Sequence, residues 1–284
     1  GGGRRRAIPR GGGGATKRCV GGGHGGFRMP SRGFFCGACP STMLRMVPLP
    51  RRGRIGYDRA MGDNILVIDA GTTSTRAMVF DAHGGLLRVA QAELTQHYPR
   101  PGWVEHDAAE IWTLTLRCLR EVAGEGAAGI AAIGITNQRE TVVAWDRANG
   151  EPLARAIVWQ DRRTAEACAA LKDAGHEDAV QAATGLLLDP YFSATKMRWL
   201  FDNDGQVRAA QEGGRLALGT VESWLAFKLT GGAHITDASN ASRTLLLPLA
   251  GGQFDAGLCD LFGVPRGALP EVVDTHGALG EADP

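Results

Sequence analysis

At residue 60 the chain changes character. The first sixty residues hold 13 Lys and Arg against one acid, Asp58, together with 16 of the 41 glycines; that segment carries +12 and the rest of the chain −11. The runs GGGRRRAIPRGGGG and VGGGHGGF show no hydrophobic period. Ordering such a stretch costs about 1–2 kcal/mol of backbone entropy per residue, more for Gly, with little apolar surface to bury in return. Residues 1–61 are therefore expected to form a low-complexity, disordered extension. Arg-Gly runs can bind RNA, and Arg-rich, acid-poor N-termini can be transit peptides. The segment is Gly-rich rather than Ser-rich and has no amphipathic face, however, and Met61 stands immediately before the first strand-like run. A non-native extension is the better reading. Cys36 and Cys39 form a CxxC with Cys19 and His24 upstream. One such knuckle is half of what a structural zinc site requires.

Residues 62–284 are long enough for one domain with a large core. Overall the chain is 44% hydrophobic and 21% charged, which excludes a wholly disordered or collagen-like protein. Apolar runs such as Ile130 to Ile135 are too short to cross a bilayer core of about 30 Å. Cys118, Cys168 and Cys259 lie singly in apolar stretches, without a disulfide framework, which fits a cytoplasmic protein.

The run Ile65-Leu66-Val67-Ile68 reads as a strand covered on both faces. Arg76 to Phe80 and Leu86 to Leu94 follow across short turns, so a meander is expected. Asp107 is a suitable helix N-cap, with Glu110 at capping-box spacing and Ile111, Leu114, Cys118, Leu119 and Val122 at helical period. Strands are expected at 130–135, 141–145 and 216–218. Helices are expected near 162–173, 176–183 and 193–203, and from a Thr220 cap through Leu229. The class is α/β.

Three polar segments could carry chemistry. Asp69-Ala70-Gly71-Thr72-Thr73-Ser74-Thr75-Arg76 follows a buried strand with a Gly, four consecutive hydroxyls and a cation. It can grip phosphate, with Asp69 able to hold Mg²⁺ through water, although a plain turn rich in turn-formers accounts for the same residues. GxxxxGK[ST] is absent, so this is not a P-loop. Thr136-Asn137-Gln138-Arg139-Glu140-Thr141 leaves another strand end, where α/β proteins place sites. Arg139 offers five donors and Glu140 offers acceptors, a pair suited to a polyol. The competing reading is a solvated turn with a surface ion pair. In Asp189-Pro190-Tyr191-Phe192-Ser193, Tyr191 could direct one hydroxyl at a ligand, and Trp159 could present an apolar face. Core packing is the alternative for both.

Taken together, DAGTTSTR at 69–76, YPRPGWVEHD at 98–107, ITNQRET at 135–141, IVWQDRRTAE at 157–166, DPYFSATK at 189–196 and TDASNASRT at 236–244 resemble the FGGY carbohydrate kinases, in their glycerol kinase branch. The resemblance covers about residues 64–284. It implies a ribonuclease-H-like fold of the actin and sugar-kinase type, with residues 62–284 as the N-terminal FGGY domain and the C-terminal domain missing. It also implies ATP-dependent phosphorylation of glycerol to sn-glycerol 3-phosphate. By motif, Arg139, Glu140 and Tyr191 would bind glycerol hydroxyls and Trp159 its carbon backbone. Thr72, Thr73, Ser74 and Arg76 would contact the phosphates of ATP or ADP, and Asp69 would serve Mg²⁺. No nucleic acid is expected on the globular part, and self-association is left open for a full-length enzyme. The sequence departs from the family in Ala70, where Gln is common. It also lacks a Gly-Asp-Gln segment, so the general-base Asp is expected beyond Pro284. The chain alone is thus expected to bind without useful turnover, since a general base contributes about 10²–10⁴-fold. A non-catalytic binding or assembly module of the same superfold is the rival reading.

Overall fold

In the computed structural model the described residues are 62–124 and 129–282. The expectations placed on residues 1–61, including disorder, RNA binding and the CxxC, lie outside them.

β1 (Asn64–Ala70), β2 (Ser74–Phe80) and β3 (Leu86–Glu93) form the expected antiparallel meander. The chain then runs through β4 (Glu105–His106) and α1 (Ala108–Ala123) into β5 (Ile130–Asn137), which returns parallel beside β1. The sheet order is β3-β2-β1-β5. A parallel return requires such a crossover, and α1 supplies it by packing on β2 and β3. Its inward face is Ile111, Thr115, Cys118, Leu119 and Val122. The Thr115 hydroxyl bonds that of Thr75 on β2 at 3.0 Å, satisfying two polar groups that α1 buries. Asp107 caps α1 as expected, accepting from Ala109 N and Glu110 N. The reciprocal half of the capping box is not formed: Glu110 accepts from the Thr95 hydroxyl instead.

A second sheet has the order β4-β7-β6-β8, from β6 (Val142–Asp146), β7 (Ala156–Ile157) and β8 (Leu216–Thr220). Helices α2 (Ala165–Asp173), α3 (Glu177–Thr184), α4 (Ser193–Asn203) and α5 (Gly205–Glu212) lie between β7 and β8 in sequence. Helix α6 (Val221–Leu229) is buried on nearly every face because it touches β5 of the first sheet and β6 and β8 of the second. Thr220 stands at its N-cap, but its hydroxyl donates to the Glu222 carboxylate rather than to the helix backbone. β9 (Ile235–Asp237), α7 (Ala238–Ala241), α8 (Ala256–Phe262) and β10 (Glu271–Val273) complete the described part, with β9 and β10 paired in parallel.

Two apolar cores result. One joins the first sheet to α1 and α6, with Trp145 and Trp224 ring centroids 5.4 Å apart. The other packs Val142, Ala144 and Leu218 against Met197, Leu200, Phe254 and Phe262. Each large side chain so buried contributes about 1.5–3 kcal/mol. Cys118, Cys168 and Cys259 are buried free thiols, Cys118 in the first core and Cys259 in the second. None of the described helices is long and apolar enough to cross a membrane.

Candidate functional site

β1 and β5 run parallel in register, Asp69 opposite Thr136 and Ala70 opposite Asn137, so the turns that follow them emerge side by side. The first turn, residues 71–73, is tight. Gly71 N donates to Ser74 O at 3.0 Å, and a Cβ on Gly71 would sit 3.1 Å from that oxygen, which favours glycine there. Across the hairpin Asp69 pairs with Arg76, whose Nη1 lies 2.8 Å from Oδ2; both side chains remain partly exposed. Arg76 Nε also donates to Gln91. Thr73 is exposed and Ser74 buried. Among the described residues, the backbone N–H groups of Thr72 and Thr73 have no hydrogen-bond partner.

The second turn is built differently. Glu140 has φ +63°, a left-handed conformation that L residues rarely adopt, and is 3% exposed. Its carboxylate accepts from Arg243 Nε at 2.6 Å, and its carbonyl accepts from the Ser193 hydroxyl. Arg139 and Glu140 therefore do not pair with each other, and the solvated turn with a surface ion pair is not what forms. Among the described residues, the Arg139 guanidinium has no hydrogen-bond or ion-pair partner.

Aromatic residues join the two turns. Trp159, just after β7, donates from Nε1 to the Thr72 hydroxyl at 2.9 Å, and its backbone N donates to the Thr141 hydroxyl at 3.1 Å. Its ring meets Tyr191 edge-on at 5.5 Å. Both rings are only partly buried, so neither is simple core. Arg243 stands 5.6 Å from the Tyr191 ring and 4.9 Å from Phe192. The loop bearing Trp159 is fixed by Arg163, whose side chain is 1% exposed, pairs with Asp161 and Glu105 and lies over the Trp103 and Trp199 rings. The structure thus brings Thr72, Glu140, Trp159 and Tyr191 into one chain of contacts, with Asp69 and Arg76 at the strand ends beneath the first turn and Arg139 on the second.

Lys196, His106 and Glu222 are among the buried groups whose proton affinities are shifted. Lys196 donates to the carbonyls of Pro190 and Tyr191 at 3.1 and 2.6 Å, behind the Tyr191 loop. Burial pulls its pKa down to about 7, against the opposing pull of Glu140 and Asp161. Burial also lowers His106 to about 4 and raises Glu222 to about 7. Glu222 accepts from the Thr220 and Thr236 hydroxyls.

A metal would find few ligands. Among the described residues no group of three or more His, Cys, Asp or Glu is arranged to hold one. Asp69 is partly exposed, and only its Oδ2 is engaged. That fits an ion such as Mg²⁺, which keeps most of its water and takes one or two carboxylates.

Sequence reasoning assigned no role to Arg243, Gln138, His106 or Lys196. Each lies within a motif already singled out, but the partners that tie them to the site, Glu140, Gly71, His106 and Tyr191, lie 5 to 103 positions away.

The model of the FGGY family of carbohydrate kinases, N-terminal domain, matches residues 64–284. A glycerol kinase from Alkalilimnicola ehrlichii is 54% identical over 220 residues, covering 76% of this chain and 44% of the relative. The crystal structure of Plasmodium falciparum glycerol kinase with ADP superposes with TM-score 0.71 at 36% identity, covering 74% of this chain and 42% of that one. Xylulose kinase from Rhodospirillum rubrum superposes with TM-score 0.66 at 27% identity, covering 74% and 42%. The fold is therefore the sugar-kinase fold, and the chain spans less than half the length of these relatives.

Proposed function

The chain belongs to the FGGY family of carbohydrate kinases, and from that premise we propose that residues 62–284 are the glycerol- and phosphate-binding half of an enzyme that transfers the γ-phosphoryl group of ATP to a terminal hydroxyl of glycerol. Arg139, Glu140 and Tyr191 bind the glycerol hydroxyls, and Trp159 packs on the carbon backbone. Thr72, Thr73, Ser74 and Arg76 meet the nucleotide phosphates. Mg²⁺, held by Asp69 through water, would neutralise charge on the phosphates.

The observation that carries this reading is Trp159, whose indole N–H bonds Thr72 while its ring abuts Tyr191. One side chain thereby ties the phosphate-facing turn to the polyol-facing loop. Phosphoryl transfer asks mainly for alignment and charge neutralisation, and a shared scaffold supplies alignment. Glu140, buried and fixed by Arg243, offers a preset acceptor, so an analogue lacking the matching hydroxyl leaves a polar group unpaired. We place the general base outside residues 1–284.

Calorimetric titration with glycerol tests the reading. Binding that Arg139→Ala and Tyr191→Phe each weaken supports it. Indifference to glycerol, with the fold intact, favours a non-catalytic module. A coupled kinase assay on this chain showing normal turnover would contradict the placement of the base.

A further inference from the structure

Behind the phosphate-facing turn lies a chain of hydrogen bonds with a peptide carbonyl at each end. Gln138 Nε2 donates to Gly71 O at 3.0 Å and to His106 Nδ1 at 3.2 Å. His106 Nε2 donates to Gln96 Oε1 at 2.9 Å, and Gln96 Nε2 donates to Thr72 O at 2.8 Å. Carbonyls only accept, so the direction of every bond between them is set. Gln138 must present both N–H groups, His106 must be neutral with its proton on Nε2, and the Gln96 amide must face one way. Gln138 Oε1 is also engaged, accepting from the Thr141 hydroxyl at 2.9 Å.

The consequence falls on the opposite side of the turn. In a trans peptide the C=O of one residue and the N–H of the next point in opposite directions. Gripping the carbonyls of Gly71 and Thr72 from behind aims the N–H groups of Thr72 and Thr73 away from the relay. Those are the two N–H groups without partners among the described residues. Two adjacent outward N–H donors suit a phosphate oxygen.

We infer that Gln138, acting through His106 and Gln96, is a positioning residue that aims the Thr72 and Thr73 amides at a nucleotide phosphate. The inference rests on the reading of residues 71–73 as phosphate-facing. Gln138 lies in the turn that carries Arg139 and Glu140, so the relay also fixes the spacing between the polyol and phosphate sides. Burial keeps His106 neutral at physiological pH; Glu110 on α1 opposes that effect and His97 reinforces it.

The test uses the chain itself, with inorganic tripolyphosphate as probe. Nitrogen NMR of the His106 ring at pH 7 should show a bare Nδ1 and a protonated Nε2; the reverse tautomer overturns the inference. Tripolyphosphate should move the amide resonances of Thr72 and Thr73. Gln138→Glu and Gln96→Glu each keep side-chain shape but remove a donor to one carbonyl. Each should weaken tripolyphosphate binding roughly tenfold, the value of about one lost hydrogen bond. The double variant should lose less than the product of the two, because both break one relay. Unchanged affinity in the folded variants overturns the inference and leaves the phosphate-facing reading standing. If tripolyphosphate leaves the wild-type amides unmoved, both fall.

Discussion

The two turns at the ends of β1 and β5 lie side by side, yet they are stabilised in opposite ways. The 71–73 turn has relaxed backbone geometry, a partly exposed ion pair at its base and N–H groups left open. The 138–141 turn holds a non-glycine residue in the left-handed region, with a buried carboxylate committed to Arg243. The first keeps its charges partly in water, which on the proposed reading lets a phosphate and its counterions exchange cheaply. The second has desolvated its charge in advance, which on the proposed reading makes it select rather than adapt.

Substitutions should separate the two. Arg243→Ala leaves Glu140 buried without its partner and should cost about 3 kcal/mol of stability, read by urea unfolding. A loss below about 1 kcal/mol would mean that Glu140 is far better solvated than its burial indicates.

Acid should act next. His106 is buried and His234 half-buried, and desolvation lowers the pKa of each to about 4, so the unfolded chain takes up their protons first and stability falls as pH drops from about 6.5 toward 4. Glu222 works the other way. Its pKa is raised to about 7, so its contribution is present at low pH and is lost as pH rises from 4.5 through 7. The net acid loss between pH 6.5 and 4.5 should be about 2 kcal/mol, and Glu222→Gln should steepen it. Thermal melts across that range check both slopes.

Glu140→Gly and Glu140→Ala both remove the carboxylate, but only glycine relieves the left-handed backbone. The glycine variant should be more stable by about 1 kcal/mol. Smallest in stability is Arg76→Ala, at under about 1 kcal/mol because the pair is partly exposed. Its effect should appear instead as weaker ADP binding in calorimetry.

The sequence made the first turn legible and left half of the second hidden. An apolar run, a glycine and four hydroxyls are local signals, and β1 and β2 formed where they indicated. The meander and α1 were readable for the same reason. Arg243 meets Glu140 across 103 positions, and Trp159 meets Thr72 across 87, so no local period reports them. The left-handed φ of Glu140 carries no marker, because glycine would have been the usual sign. Strands β4 and β7 are two residues long and form only through partners distant in sequence, β4 on β7 and β7 on β6. Helix α5 went unread because its signal is a single Asp204 cap over a short segment.

The parallel pairing of β1 with β5 has one further consequence. Because Ala70 stands opposite Asn137, the distance between the two turns is set by ladder register rather than by loop length. Removing two residues from β5 would preserve which side chains face the core yet retract its turn by about 6.6 Å, well beyond hydrogen-bond reach. Evolution can therefore redecorate either turn freely, but it cannot lengthen or shorten the strand beneath one without doing the same to its neighbour.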